Sequence, residues 1–198
     1  MTLCGVILAG GRGRRMGGAD KALLELGGVP MIARVIARLG PQVDALAISA
    51  NGAPGRFAGF GLPVLPDTIA GHPGPLAGLL AGMRWAEAEG ASHIVTAATD
   101  TPFLPADLVG RLGSARGAPI ALAETARGLH PTFGLWPVSL AGALAEALEA
   151  GTRRVGAWAL EQGAARVRFP AGPPDPFFNI NTPADMEAAA CILAKEHP

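Results

Sequence analysis

With 198 residues, 49% of them hydrophobic and 16% charged, the chain can bury one sizeable core and is too apolar to stay disordered, so a single domain spanning 1–198 is expected. Sixteen basic and sixteen acidic side chains cancel, which removes the broad field that a nucleic-acid or membrane-surface protein would carry. No apolar run approaches the roughly 18 residues of a membrane span, and MTLCGVILAG lacks the basic start of a signal peptide, so a cytoplasmic protein is expected. Cys4 and Cys191 match no metal or disulfide spacing and are expected to be reduced, buried thiols.

Short apolar runs alternate with helical patterns along the first 125 residues. Cys4–Ala9, Ala45–Ala50, Pro63–Leu65, His93–Ala98 and Ile120–Glu124 read as strands. Between the first two, PMIARVIARLG places Ile32, Val35, Ile36 and Leu39 on one helical face, with Gly40 as a stop. PLAGLLAGMRWAEAEG repeats the arrangement with Leu76, Leu79, Leu80 and Met83, and a third helix falls within Pro105–Leu112. Strands apolar on both faces, alternating with helices, predict a Rossmann-like three-layer α/β fold, its mainly parallel sheet covered by helices on both faces. Further on, LHPTFGLW and ARVRF read as strands, and SLAGALAEALEAG and RRVGAWALEQG as helices. In NINTPADMEAAACILAKE, Thr182 suits an N-cap, Pro183 the first helical position and Asp185 the reciprocal hydrogen bond, so a last helix starts there.

The loop after the first strand carries the chemistry. Arg12, Arg14, Arg15 and Lys21 are four of the sixteen basic side chains, set among glycines that let backbone amides approach an anion. In an open parallel sheet such a loop faces the ligand cleft, and phosphate is the natural occupant. Neither familiar phosphate motif fits. The dinucleotide fingerprint through Gly11 and Gly13 meets Met16, and the P-loop from Gly13 to Gly18 meets Ala19 and Asp20. An arginine-glycine segment for RNA would bring stacking aromatics, yet the chain has no tyrosine and no Phe or Trp before Phe57.

LAGGRGRRMGGADK, Leu8 to Lys21, resembles the signature loop of nucleotidyltransferases that build nucleotide-containing cofactors and sugar nucleotides, and most closely that of the molybdenum cofactor guanylyltransferases. The resemblance implies the nucleotide-diphospho-sugar transferase type of fold. It also implies that Leu8, Ala9, Gly10, Gly11 and Gly13 wrap the phosphates of GTP, with Arg15 and Lys21 holding them. In IVTAATDTPFLP the Asp-Thr-Pro at Asp100 is similar to the family's metal-binding aspartate motif, and a triphosphate needs a divalent cation such as Mg²⁺. Taken alone, Asp100 would be an ordinary turn aspartate. Asp67, ahead of Pro-Gly-Pro-Leu-Ala-Gly, matches a family aspartate near the nucleotide. AISANG departs from the family's Asn-Ala-Asn by carrying Ser49, which leaves Asn51 and the hydroxyl or backbone at Ser49 as candidate base or ribose contacts.

HPTFGLW, GTRRV and NINTP extend the likeness to nearly the whole chain. Arg153 and Arg154 could bind the acceptor phosphate, Asn181 could add a neutral oxygen to the metal, and Asn179 could meet the pterin or its phosphate. Without the resemblance these would read as a solvated helix start and turn asparagines, and His130 beside a proline as structural. The implied reaction transfers GMP from GTP to molybdopterin, with catalytic Lys21, Asp100 and Arg15. Residues 1–110 would form the nucleotide half and the remainder the acceptor half. Contacts with molybdenum-insertion and molybdoenzyme-maturation proteins are implied as well. The alternatives are the same chemistry with CTP or a sugar phosphate, a non-catalytic nucleotide-binding regulatory module, and an RNA-binding protein, which the zero net charge disfavours.

Overall fold

The computed structural model describes residues 2–10, 20–69, 74–115, 117–170 and 172–196. The elements follow in chain order as β1 (Leu3–Leu8), β2 (Glu25–Leu26), β3 (Val29–Pro30), α1 (Met31–Leu39), β4 (Ala45–Ser49), β5 (Val64–Leu65), α2 (Pro75–Ala88) and β6 (His93–Ala98). After them come α3 (Leu108–Leu112), β7 (Ala121–Thr125), β8 (Gly128–Pro137), α4 (Ala141–Glu149), α5 (Val155–Glu161), β9 (Ala165–Arg168) and α6 (Pro183–Glu196). Seven of the described strands form one sheet in the order β5-β4-β1-β6-β8-β7-β9. Pairing is parallel from β5 to β6 and between β7 and β9, while β8 runs antiparallel to both its neighbours.

The alternation along β1 splits the core. Val6 and Cys4 face a cluster with Leu79, Leu80, Met83, Trp136 and Trp158 under α2, α4 and α5, whereas Ile7 joins Ile32, Val35, Leu39, Leu104 and Leu108 under α1 and α3. Three layers result, as the sequence pattern predicts. The second helix differs from a one-faced reading, because Ala77, Gly78, Ala81 and Gly82 are buried along with its leucines. Helix α4 covers its outer side, and its small residues let it lie directly on the sheet. A Cβ on Gly82 would stand 2.7 Å from Val6 Cγ2, and one on Gly78 would stand 2.5 Å from Ser49 Oγ. Gly82→Leu is therefore expected to cost about 3 kcal/mol through overpacking, read as a lower denaturation midpoint with an unchanged slope.

One element is new and one reading changes. Residues 25–30 form the small β2–β3 hairpin, turned by Gly27 and Gly28 at φ 58° and 72°, which side chains with a Cβ rarely adopt. Cys4 is buried as expected, but Cys191 is exposed, because α6 turns Met186, Ala189 and Leu193 inward and position 191 outward. Among the described residues no helix is long and apolar enough to cross a membrane.

Candidate active site

Four parallel strands end on one line. Leu8 pairs with both Ser49 and Ala98, and Ser49 pairs with Leu65. Backbone bonds carry the ladder one residue further, from Ala9 N to Ser49 O (2.8 Å), Ala50 N to Leu65 O (2.9 Å) and Thr99 N to Leu8 O (3.3 Å). Gly10, Asn51, Asp67 and Asp100 therefore leave the sheet from a common edge, the carboxyl ends where open α/β sheets bind ligands. Antiparallel β8 brings its other end, with His130, toward the same edge.

The chain re-enters this edge at Asp20, whose Oδ1 accepts from Ala22 N and caps a single 3₁₀ turn, Lys21–Leu23. That turn aims Lys21 across the cleft. Its Nζ donates to Asp100 Oδ2 at 2.8 Å and to Asn181 Oδ1 at 2.6 Å. The Lys21 and Asp100 side chains are 16% and 21% exposed, so the pair is shielded yet reachable. Asn181 arrives through a backbone stitch: Ile180 N donates to Asp100 O at 2.9 Å, and Ile180 is buried beside Leu26, Met31 and Phe103. With Ile180 inward, Asn179 and Asn181 are both exposed, as an i, i+2 spacing requires.

Asp185 holds that segment from behind. Its Oδ2 accepts from Asn181 N and Thr182 N, and its own N–H donates to Thr182 Oγ1, completing the expected capping box. The hydrogen bond from the Asn181 backbone, with those of Thr182 and the charge of Lys21, lowers its pKa below the ordinary 3.8. A depressed carboxylate stabilises the fold above its unfolded pKa and loses that contribution as pH falls through the folded value. Asp185→Ala is thus expected to melt below the wild type at neutral pH, with the gap closing below about pH 3.8 in an acid titration of thermal stability.

At the neighbouring strand ends, Asn51 Nδ2 donates to Asp67 Oδ2 at 2.6 Å, and Asp67 N donates to Asn51 Oδ1 at 2.9 Å. This doubly bonded pair presents a carboxylate and an amide together. Ser49 is placed differently. It is 3% exposed and its Oγ faces α2 at Gly78, so its hydroxyl is turned away from the cleft and its carbonyl is taken by Ala9. A Cβ on exposed Gly10 would meet nothing within 4 Å, so the backbone is open to a ligand there. Gly11, Gly13 and Arg15 lie outside the described residues.

At the start of β8, His130 Nε2 pairs with Thr125 Oγ1 at 2.9 Å and its ring stacks on Phe177 at 4.5 Å. Burial lowers its pKa below 6.5 against the opposing charge of Asp175, which keeps it neutral at pH 7. Arg153 donates to Thr152 O and Leu148 O at the end of α4, and exposed Arg154 precedes α5. One residue that the sequence did not single out, Arg56, lies at the site. Arg56 pairs with Asp20 and donates to the carbonyls of Asn51 and Ala53. Gly52, at φ 87°, was the available signal of the turn that Arg56 closes.

The chain as a whole resembles known proteins. A family model described as the MobA-like NTP transferase domain matches residues 5–165. The molybdenum cofactor guanylyltransferase of Cereibacter sphaeroides is 55% identical over 197 residues, spanning 99% of this chain and 100% of that protein. That of Mesorhizobium japonicum is 49% identical, with 96% of each chain covered. Among solved structures, molybdopterin-guanine dinucleotide biosynthesis protein A from Archaeoglobus fulgidus matches with a TM-score of 0.77 at 25% identity, covering 97% of this chain and 99% of that one. CMP:2-keto-3-deoxy-manno-octonic acid synthetase, solved with CTP, shares the fold at a TM-score of 0.73 and 17% identity, covering 99% of this chain and 100% of that one. The family match and the identity to these relatives over nearly the whole chain show that the chain belongs to the molybdenum cofactor guanylyltransferases of the MobA-like NTP transferase family.

Proposed function

We propose that the protein transfers GMP from GTP to the phosphate of molybdopterin. An acceptor phosphate oxygen attacks the α-phosphorus, a new P–O–P linkage forms, the bond to the β-phosphate oxygen breaks, and pyrophosphate leaves. The observation that carries this reading is the meeting of Lys21, Asp100 and Asn181 at the strand edge from which the glycine-rich segment departs. The acceptor phosphate is already ionised at neutral pH, so no general base is required. Catalysis on this reading is positioning and charge. Gly10 and the segment after it would receive the triphosphate, with Lys21 against its oxygens and Asn51 and Asp67 toward the nucleoside. Arg153, Arg154 and Asn179 are the candidate acceptor contacts in the half beyond residue 110.

The donor set fits Mg²⁺. Asp100 Oδ2 and Asn181 Oδ1, one anionic and one neutral, are both hard oxygens, and both already face the ammonium of Lys21, so the spot holds positive charge. A cation held by these two oxygens would take its remaining ligands from phosphate and water. When bound, Mg²⁺ offsets triphosphate charge and stabilises the pyrophosphate leaving group.

Calorimetry with GTP, CTP, ATP and UTP in the presence of Mg²⁺, followed by pyrophosphate release with molybdopterin, tests the reading. GTP is expected to bind most tightly and to turn over; equal binding of CTP, or binding without pyrophosphate release, would overturn it.

A further inference from the structure

We propose that Arg56 is a positioning residue for the nucleotide: it ties the exit of the glycine-rich segment to the loop that presents Asn51 and Asp67. The inference rests on the nucleotide reading of Lys21, Asn51 and Asp67.

The guanidinium is committed on every side. Nη2 donates to Asn51 O at 2.7 Å and Nη1 donates to Ala53 O at 3.0 Å. Nε faces Asp20 Oδ2 as a close ion pair without an aligned hydrogen bond. The plane lies over the ring of Phe57, 4.5 Å from its centroid, and Phe57 is wholly buried in the core. A planar fork with five donors can meet two carbonyls and a carboxylate at once, which a lysine cannot.

Two of these contacts, to Asp20 and to Asn51, lead to groups that face the nucleotide on that reading. Asp20 caps the turn that aims Lys21, so holding Asp20 holds the lysine. Holding the Asn51 carbonyl steadies the backbone from which the Asn51 amide bonds Asp67 twice, and so fixes that pair's orientation. Gly52 makes the tight turn at φ 87°, where a Cβ would come within 3.1 Å of Arg56 Nη1. The two sides of the nucleotide cleft, phosphate and nucleoside, are thereby held at a set separation through one side chain. With its positive charge spent on Asp20, Arg56 has no need to touch the phosphates to matter.

The test compares Arg56→Met, Arg56→Lys, Asp20→Asn and Asn51→Ala with the wild type by GTP calorimetry, steady-state kinetics and thermal unfolding. Arg56→Met is expected to weaken GTP binding and raise KM about ten-fold, with kcat at saturating GTP within about two-fold. Arg56→Lys should recover less than half of that loss. In the Asp20→Asn background most of the Arg56→Met effect should disappear, as expected for one connected unit. Unchanged GTP affinity in Arg56→Met, full additivity with Asp20→Asn, or full rescue by lysine would overturn the inference. So would a loss confined to thermal stability. If Asn51→Ala also leaves GTP affinity unchanged, the nucleotide reading itself fails; if Asn51→Ala weakens binding and Arg56→Met does not, only the role of Arg56 fails.

Discussion

Lys21→Met is expected to move two affinities in opposite directions: GTP binds more weakly, and Mn²⁺, measured alone in place of Mg²⁺, binds more tightly. The ammonium holds Asp100 Oδ2 and Asn181 Oδ1, the same two oxygens assigned to the cation. A divalent ion of this kind sits at roughly 2.1 Å from its oxygens, so it and the lysine cannot share them in this arrangement. Removing the lysine frees the pair for the metal. On the proposed reading it also removes a charge-assisted contact to the triphosphate, worth roughly 1.5–3 kcal/mol, or about 10- to 100-fold in Kd. Methionine keeps the aliphatic stem and so separates charge from packing. Mn²⁺ titration without nucleotide and GTP calorimetry read the two effects; if both affinities fall together, the shared-oxygen account is wrong.

Asp100→Ala is expected to leave the fold in place and stop the reaction. The carboxylate is partly exposed at the end of β6, and the structural bond at this residue, from Ile180 N, is made by the backbone carbonyl that alanine retains. Thermal unfolding should therefore shift little. Turnover with Mg²⁺ should fall roughly 10²- to 10³-fold, the usual consequence of deleting one group that stabilises transition-state charge. Pyrophosphate release under saturating GTP measures it, and activity within ten-fold of wild type would remove Asp100 from the metal site. Asp100→Asn separates charge from shape: it keeps an oxygen for Lys21 but should remain close to the alanine variant in turnover.

Periodicity made the scaffold legible. His93–Ala98 is buried from Ile94 onward, as a run apolar on both faces should be, and Ile32, Val35 and Leu39 of α1 point inward at helical spacing. The capping box at Thr182 was readable because it is local, with all partners within four residues. What escaped was either too short or too distant. Two-residue strands such as β2 and β3 carry no alternation to detect, and only the pair Gly27–Gly28 marked their turn. The Lys21–Asp100 pair spans 79 positions, and Arg56 meets Asp20 across the sheet edge, so neither contact is written in any window of sequence. Residue types named the first pair because a resemblance supplied the motif. Arg56 belonged to no motif and became visible only through its neighbours. Ser49 shows the reverse: its place at a strand end suggested the cleft, but the alternation of β4 turned its hydroxyl under Gly78.

The bond from Lys21 to Asn181 joins positions 160 residues apart, so the candidate site unites residues near the two ends of the chain. During synthesis the amino-terminal strands emerge and can begin to fold first. Residues Asn51, Asp67 and Asp100 are all made well before Asn181, whose placement depends on Ile180 and the start of α6. A nascent chain can thus assemble the strand edge that carries Asn51, Asp67 and Asp100 while the ribosome still holds the segment that brings Asn181 to Lys21. On the proposed reading, competence for transfer waits on nearly the whole polypeptide, because Asn181 and the α6 residues that pack around Ile180 come last.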